Sequence, residues 1–148
     1  TVPVSISGLS SVDKVRNITT KPGTAGALDY TAVTTTVTIP AGQTTVNVVI
    51  PITDDLIDEH DETFTVNGTV TSGNTSNTAA SGTVTIEDND ATPTMTIGSV
   101  TVNEGVGNAT VPVSISGLSS VDTVINITTT TGTAGALDYT AVIVTIIR

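Results

Sequence analysis

The chain has 148 residues, of which 12% are charged and 2% aromatic, and fourteen acids against four Lys and Arg give it a formal net charge of −10. That balance argues against nucleic acid or an anionic membrane surface as a partner and makes cations the natural counter-species. There is no cysteine for a disulfide or a thiolate site, and no run of about 18 apolar residues that could span a membrane, so any core must be built from Val, Ile, Leu and Ala.

In chain order, Val and Ile alternate with Thr and Ser in the pattern of half-buried strands at residues 2–7, 14–20, 33–39, 45–52, 63–70 and 82–86, and then at 95–102, 111–116 and 123–129. Turn signals separate them, including Pro22-Gly23, Pro40-Ala41-Gly42, Asn67-Gly68 and Ser116-Gly117. Residues 1–39 realign on 110–148 with 30 of 39 positions identical, which makes the chain an internal repeat with a period of 109 residues. Such a period is too long for a solenoid unit and matches a whole β-sandwich domain.

One repeat, opening with the strand at 95–102, therefore holds seven short strands, and the expected fold is all-β, an Ig-like seven-stranded antiparallel β-sandwich. Residues 1–92 read as a repeat lacking its first strand, and 93–148 as the N-terminal part of the next, about one and a third copies in all. The chain opens inside one strand pattern and stops inside another at Ile143-Val144-Thr145-Ile146-Ile147, as expected of cuts in a longer polypeptide. The link at Ala91-Thr92-Pro93 is too short to act as a flexible tether.

The chemistry is concentrated in one segment. Asp54, Asp55, Asp58, Glu59, Asp61 and Glu62 place six carboxylates within nine residues, on the connection between two predicted strands. At an effective dielectric of about 20, each like-charge pair 4 Å apart costs roughly 4 kcal/mol, so such crowding calls for compensation. A hard cation supplies it. Calcium takes six to eight oxygens in adaptable geometry, and this loop offers carboxylates with almost no other donor. Glu87, Asp88 and Asp90 form a second acidic block that the sandwich reading brings to the same end.

Four blocks together resemble the Calx-beta domain: Val102-Asn103-Glu104-Gly105, the run from Gly23 to Tyr30, the acidic segment from Asp54 to Phe64, and Thr83-Val84-Thr85-Ile86-Glu87-Asp88-Asn89-Asp90. The resemblance implies a seven-stranded sandwich that binds Ca2+ through acidic loops at one end, near the junction with the next domain. It also implies that Asp29, Asp54, Asp55, Glu59, Glu62, Asp88, Asp90 and Glu104 are metal ligands, with Asp138 as the repeat copy of Asp29. Asn89 stands where calcium-binding members can have a further aspartate. Asp58 and Asp61 alternate with the implied ligands and read as rim charges, and His60 reads as exposed. Asp29 and Asp138 equally fit a turn-forming role ahead of Tyr30 and Tyr139. Those tyrosines and Phe64 read as core plugs.

Nothing points to catalysis: the one histidine lies in an acidic run, no serine sits in a nucleophile elbow, and an aromatic-poor chain lacks a sugar-stacking cleft. The expected function is a calcium-binding structural repeat of an extracellular or cell-surface protein, an adhesin or filament, with neighbouring repeats or copies of itself as partners. Several Asn-x-Ser/Thr triplets, among them Asn17-Ile18-Thr19 and Asn67-Gly68-Thr69, are compatible with that location. Two alternatives remain: a filament subunit assembling by donor-strand exchange, and a calcium-sensing or ligand-binding module. A cadherin-like sandwich is the rival fold, on the strength of Glu87-Asp88-Asn89-Asp90 ahead of Pro93.

Overall fold

The computed structural model describes residues 1–147; Arg148, one of the four cationic residues, lies outside the described residues. The strands are β1 (Val2–Ser5), β2 (Lys14–Pro22), β3 (Thr34–Ile39), β4 (Thr45–Val48), β5 (Ile57–Asp58), β6 (Glu62–Ser72), β7 (Ala79–Ile86), β8 (Met95–Ile97), β9 (Val113–Ile115), β10 (Leu118–Ser119), β11 (Val124–Thr128) and β12 (Ile143–Ile147). The only helical element among the described residues is a 3₁₀ turn at Glu104–Val106. By contacts the chain divides into a first unit, Thr1–Asp55 with His60–Asp88, and a second, Leu56–Glu59 with the residues from Asn89 onward.

In the first unit β3, β2, β6 and β7 form an antiparallel sheet in that order, and β1 pairs antiparallel with β4. These are six of the seven strands expected of a repeat, the opening one being the exception. The inward residues of the two sheets meet in one aliphatic core. Ile18, Val48, Ile50, Phe64 and Val66 are buried there with Ala25 and Tyr30, and Val2, Val4, Val37, Val84 and Ile86 pack against them. Tyr30 stacks on Phe64 with ring centroids 4.0 Å apart and planes 10° from parallel, so two of the chain's three aromatics plug the same hole. The repeat copy Tyr139 is half-buried.

Period-two alternation along β2 turns Lys14, Arg16 and Ile18 inward together. Both cations are only 6% exposed, although the repeat copy has Thr123 and Ile125 at these positions. Arg16 Nη1 donates to the carbonyls of Val15 at 2.9 Å and Ser72 at 3.2 Å. Its Nη2 is buried without a hydrogen-bond partner.

In the second unit β8 pairs with β9 and β11 with β12, both antiparallel. Ile125 is its one buried hydrophobic residue among those described, against eight in the first unit. The opening strand of this repeat stops at Ile97 rather than running to residue 102 as the alternation predicts. Its next partner is Pro112, whose carbonyl accepts from Gly98 N at 2.9 Å but which has no N–H to return. The proline ring also closes on Gly98, where a Cβ would meet Pro112 Cγ at 2.6 Å. Beyond that point the chain leaves the ladder, and Asn103 O accepts from Val106 N to close the 3₁₀ turn that carries Glu104. The fold also departs from a purely antiparallel plan, since β5 and β10 pair in parallel, Ile57 with Leu118 and Asp58 with Ser119.

Replacing Phe64 by Ala removes the fully buried partner of Tyr30 and is expected to destabilise the first unit by about 3–5 kcal/mol in urea unfolding. Leu28→Ala, at a residue 83% exposed, is expected to change stability by less than about 0.5 kcal/mol.

Candidate metal centre

Two loops and one strand end build the site. The run Gly23–Tyr30 returns from β2 and is fastened to the start of β6 through Thr63, whose carbonyl accepts from Ala25 N at 2.9 Å and whose N–H donates to Thr24 Oγ1 at 2.8 Å. Gly23 is required by this approach, since a Cβ there would lie 2.5 Å from Thr63 O. The far end of the loop is fastened as well. Thr53 N donates to Asp29 O at 2.8 Å, Thr31 N donates to Pro51 O at 3.0 Å, and Tyr30 bridges to Ile52. Asp29 is thereby held beside both the entry to the acidic segment at Asp54 and its exit at Glu62.

One carboxylate oxygen from each of Asp29, Glu59 and Glu62 lies within 4.8 Å of the others, and all three side chains are half-buried. Glu59 and Glu62 come from the same loop, three residues apart, and Glu62 opens β6. At an effective dielectric of about 20, each pair of full charges at this spacing costs roughly 3 kcal/mol before salt screening. Calcium fits the arrangement. Oxygens bound at 2.3–2.6 Å to a common ion lie at most about 5 Å apart, so three within 4.8 Å can share one ion and leave coordination positions open.

The other predicted ligands fall around or away from this cluster. Asp54 and Asp55 lie on exposed chain just past Ile52, and Asp88 and Asp90 are half-buried beyond the end of β7. None of the four is in the group of three. Glu104 is exposed on its 3₁₀ turn, and Asp138 is exposed in its own loop. His60 is exposed, as expected.

The turn role of Asp29 is realised along with its place in the cluster. Its Oδ2 accepts from Gly26 N at 2.6 Å, and in the repeat copy Asp138 Oδ2 accepts from Gly135 N at 2.8 Å. The same local bond thus forms in both copies, and Asp29 has Glu59 and Glu62 beside it.

Asp61 and Asp58 do more than sit at a rim. Asp61 Oδ1 accepts from Asp88 N at 3.1 Å, tying the acidic loop to the end of β7. In the second unit, Asp58 accepts from Thr92 Oγ1 at 3.0 Å and Ser119 Oγ at 2.9 Å, and its backbone carbonyl accepts from Ser120 N at 3.0 Å. The sequence signal for both is their alternation with Glu59 and Glu62, which sends them to other partners.

The Calx-beta domain family profile matches residues 1–90 and again 87–147. The chain belongs to the Calx-beta domain family. Its fold is similar to a crystal structure of the calcium binding domain CBD12 of CALX1.1, with a TM-score of 0.51 and 22% identity over 98% of this chain. The match covers 61% of that chain. Comparison with curated proteins returns no match.

Asp29→Asn and Asp29→Ala separate the two roles of this residue. In chelator, Asn keeps an acceptor for Gly26 N and relieves repulsion with Glu59 and Glu62, so stability is expected to hold or rise. Ala loses the turn bond and is expected to cost about 1–2 kcal/mol in urea unfolding. Both are expected to lose any stabilisation that calcium confers.

Proposed function

We propose that the chain is a calcium-binding structural repeat in which Ca2+ is held by Asp29, Glu59 and Glu62, with further oxygens drawn from Asp54, Asp55, Asp88 and Asp90 to complete the shell. The observation that carries this reading is the convergence of three half-buried carboxylates to within 4.8 Å. Membership of the Calx-beta family, and a fold shared with a calcium binding domain, support calcium as the ion. Cation binding turns a repulsive cluster into a cross-link between the Gly23–Tyr30 loop, the acidic loop and the start of β6. Asp61 extends that cross-link to Asp88, where the chain leaves the sandwich.

The setting we propose is an array of such repeats in an extracellular or cell-surface protein, serving as a calcium-stiffened spacer in an adhesin or filament rather than as an enzyme. Near-identity of 30 of 39 aligned positions supports a mechanical array, since specialised sites would diverge. Extracellular calcium modules commonly work at dissociation constants of about 10⁻⁴–10⁻³ M, within reach of a half-buried site of this kind.

At a free calcium concentration a hundred times the dissociation constant, one site adds about 2.7 kcal/mol of stability. For a unit of this size that corresponds to a rise in Tm of roughly 10 °C or more. Thermal unfolding in calcium, magnesium and chelator checks it: a rise specific to calcium is expected. Identical curves in calcium and chelator contradict ion binding, and an equal rise in magnesium contradicts the choice of ion.

A further inference from the structure

Of the three carboxylates in the cluster, Asp29 stands on the clasped loop and Glu62 opens β6, while Glu59 lies between β5 and β6 and follows Asp58 directly. β5 has only two residues, Ile57–Asp58, and pairs in parallel with Leu118–Ser119 within the second unit. So short a ladder is not stable by itself. Asp58 supplies what it lacks. Its Oδ2 accepts from Ser119 Oγ at 2.9 Å and its Oδ1 from Thr92 Oγ1 at 3.0 Å. Its carbonyl oxygen accepts from Ser120 N at 3.0 Å, with Ser119 Oγ 3.2 Å away. Both carboxylate oxygens and the carbonyl of this half-buried residue are thus engaged, and bonds to an ionised acceptor are roughly twice as strong as neutral ones.

The carbonyl of Asp58 and the N–H of Glu59 belong to one peptide unit. That unit is planar, so fixing the carbonyl fixes the plane from which the Glu59 Cα departs. We propose that Ser119 is a positioning residue for the calcium site: by holding Asp58, it sets where the Glu59 carboxylate stands before the ion arrives. This rests on the calcium reading above. It adds to that reading an uncharged residue outside the carboxylate group, 61 positions along the chain from Asp58.

The repeat copy, Ser10, separates this role from a local one. Ser10 Oγ accepts from Val12 N and Ser119 Oγ accepts from Val121 N, each at 3.2 Å, so the two hydroxyls are seated alike on their own turns. Their protons go to different places. Ser10 donates to Val12 O at 2.8 Å, and Ser119 donates to Asp58. Replacing either serine by alanine removes the same turn bond, and at Ser119 it also removes the grip on Asp58. An ion binds less tightly in proportion to the fraction of molecules that hold its ligands in place, so a lost grip reads as weaker binding. Linkage requires the converse, that the bound ion tightens the grip.

Calcium titration calorimetry on the intact chain compares the unmodified protein with Ser119→Ala, Ser119→Thr and Ser10→Ala. Ser119→Ala is expected to weaken binding about fivefold or more. Ser119→Thr, which keeps the hydroxyl, is expected to restore it, and Ser10→Ala to leave it unchanged, with circular dichroism the same throughout. Amide hydrogen exchange gives a second readout: the Ser120 N–H is expected to exchange more slowly in calcium than in chelator, and Ser119→Ala to reduce that difference. Binding equally tight in Ser119→Ala, or weakened as much by Ser10→Ala, overturns the positioning role and leaves the calcium reading standing. A Ser120 N–H that exchanges alike with and without calcium overturns the positioning role even where affinity falls. Absence of binding by the unmodified chain overturns both.

Discussion

The candidate site depends on the fastening of one loop to one strand end. Thr63 accepts from Ala25 N and donates to Thr24 Oγ1, and Gly23 alone lets the two backbones approach that closely. Without this clasp Asp29 would keep only its turn bond to Gly26 N. With it, Asp29 is carried to within 4.8 Å of Glu59 and Glu62, and a local turn becomes one wall of a carboxylate cluster. The stack of Tyr30 on Phe64 reinforces the clasp from inside, because Tyr30 follows Asp29 directly and Phe64 follows Thr63. Core packing and site geometry are thus set by adjacent residues on the same two segments.

A second constraint is the net charge. An acidic chain with few cations has to place its like charges where something can answer them, and it does so in three ways. Asp58 and Asp61 are answered by hydroxyls and backbone N–H groups, which ties loops together. The group of three carboxylates is the site at which we propose a cation binds. Three of the four positive residues, Lys14, Arg16 and Lys21, lie on β2, and two of them are turned inward at the cost of an unpartnered guanidinium nitrogen.

Much of the fold is legible in the sequence because Thr and Val alternate so regularly that the strand period is unmistakable, and because the 109-residue repeat presents the turns within residues 1–39 a second time. All six strands expected of the first unit are present. The Calx-beta resemblance holds, and with it the sandwich. Periodicity overstates the opening strand of the second repeat, because alternation continues through Val100 and Val102. What ends the ladder is Pro112, the residue just ahead of β9, and single-sequence periodicity carries no information about a partner's missing N–H. The parallel pairing of β5 with β10 is invisible for a related reason: two residues are too few to show a period. The roles of Asp58 and Asp61 lie in the partners that tertiary structure supplies, while their displacement from the cluster follows from alternation alone.

Calcium titration calorimetry on the intact chain tests most directly whether Asp29, Glu59 and Glu62 act together on one ion. Saturable binding is predicted, weakened about tenfold or more by Glu62→Gln or Glu59→Gln through loss of one charged ligand, and left unchanged by Asp122→Asn, which removes the same charge elsewhere. Binding that is absent, or that falls equally in all three variants, would contradict a defined site and reduce the cluster to a diffuse acidic surface.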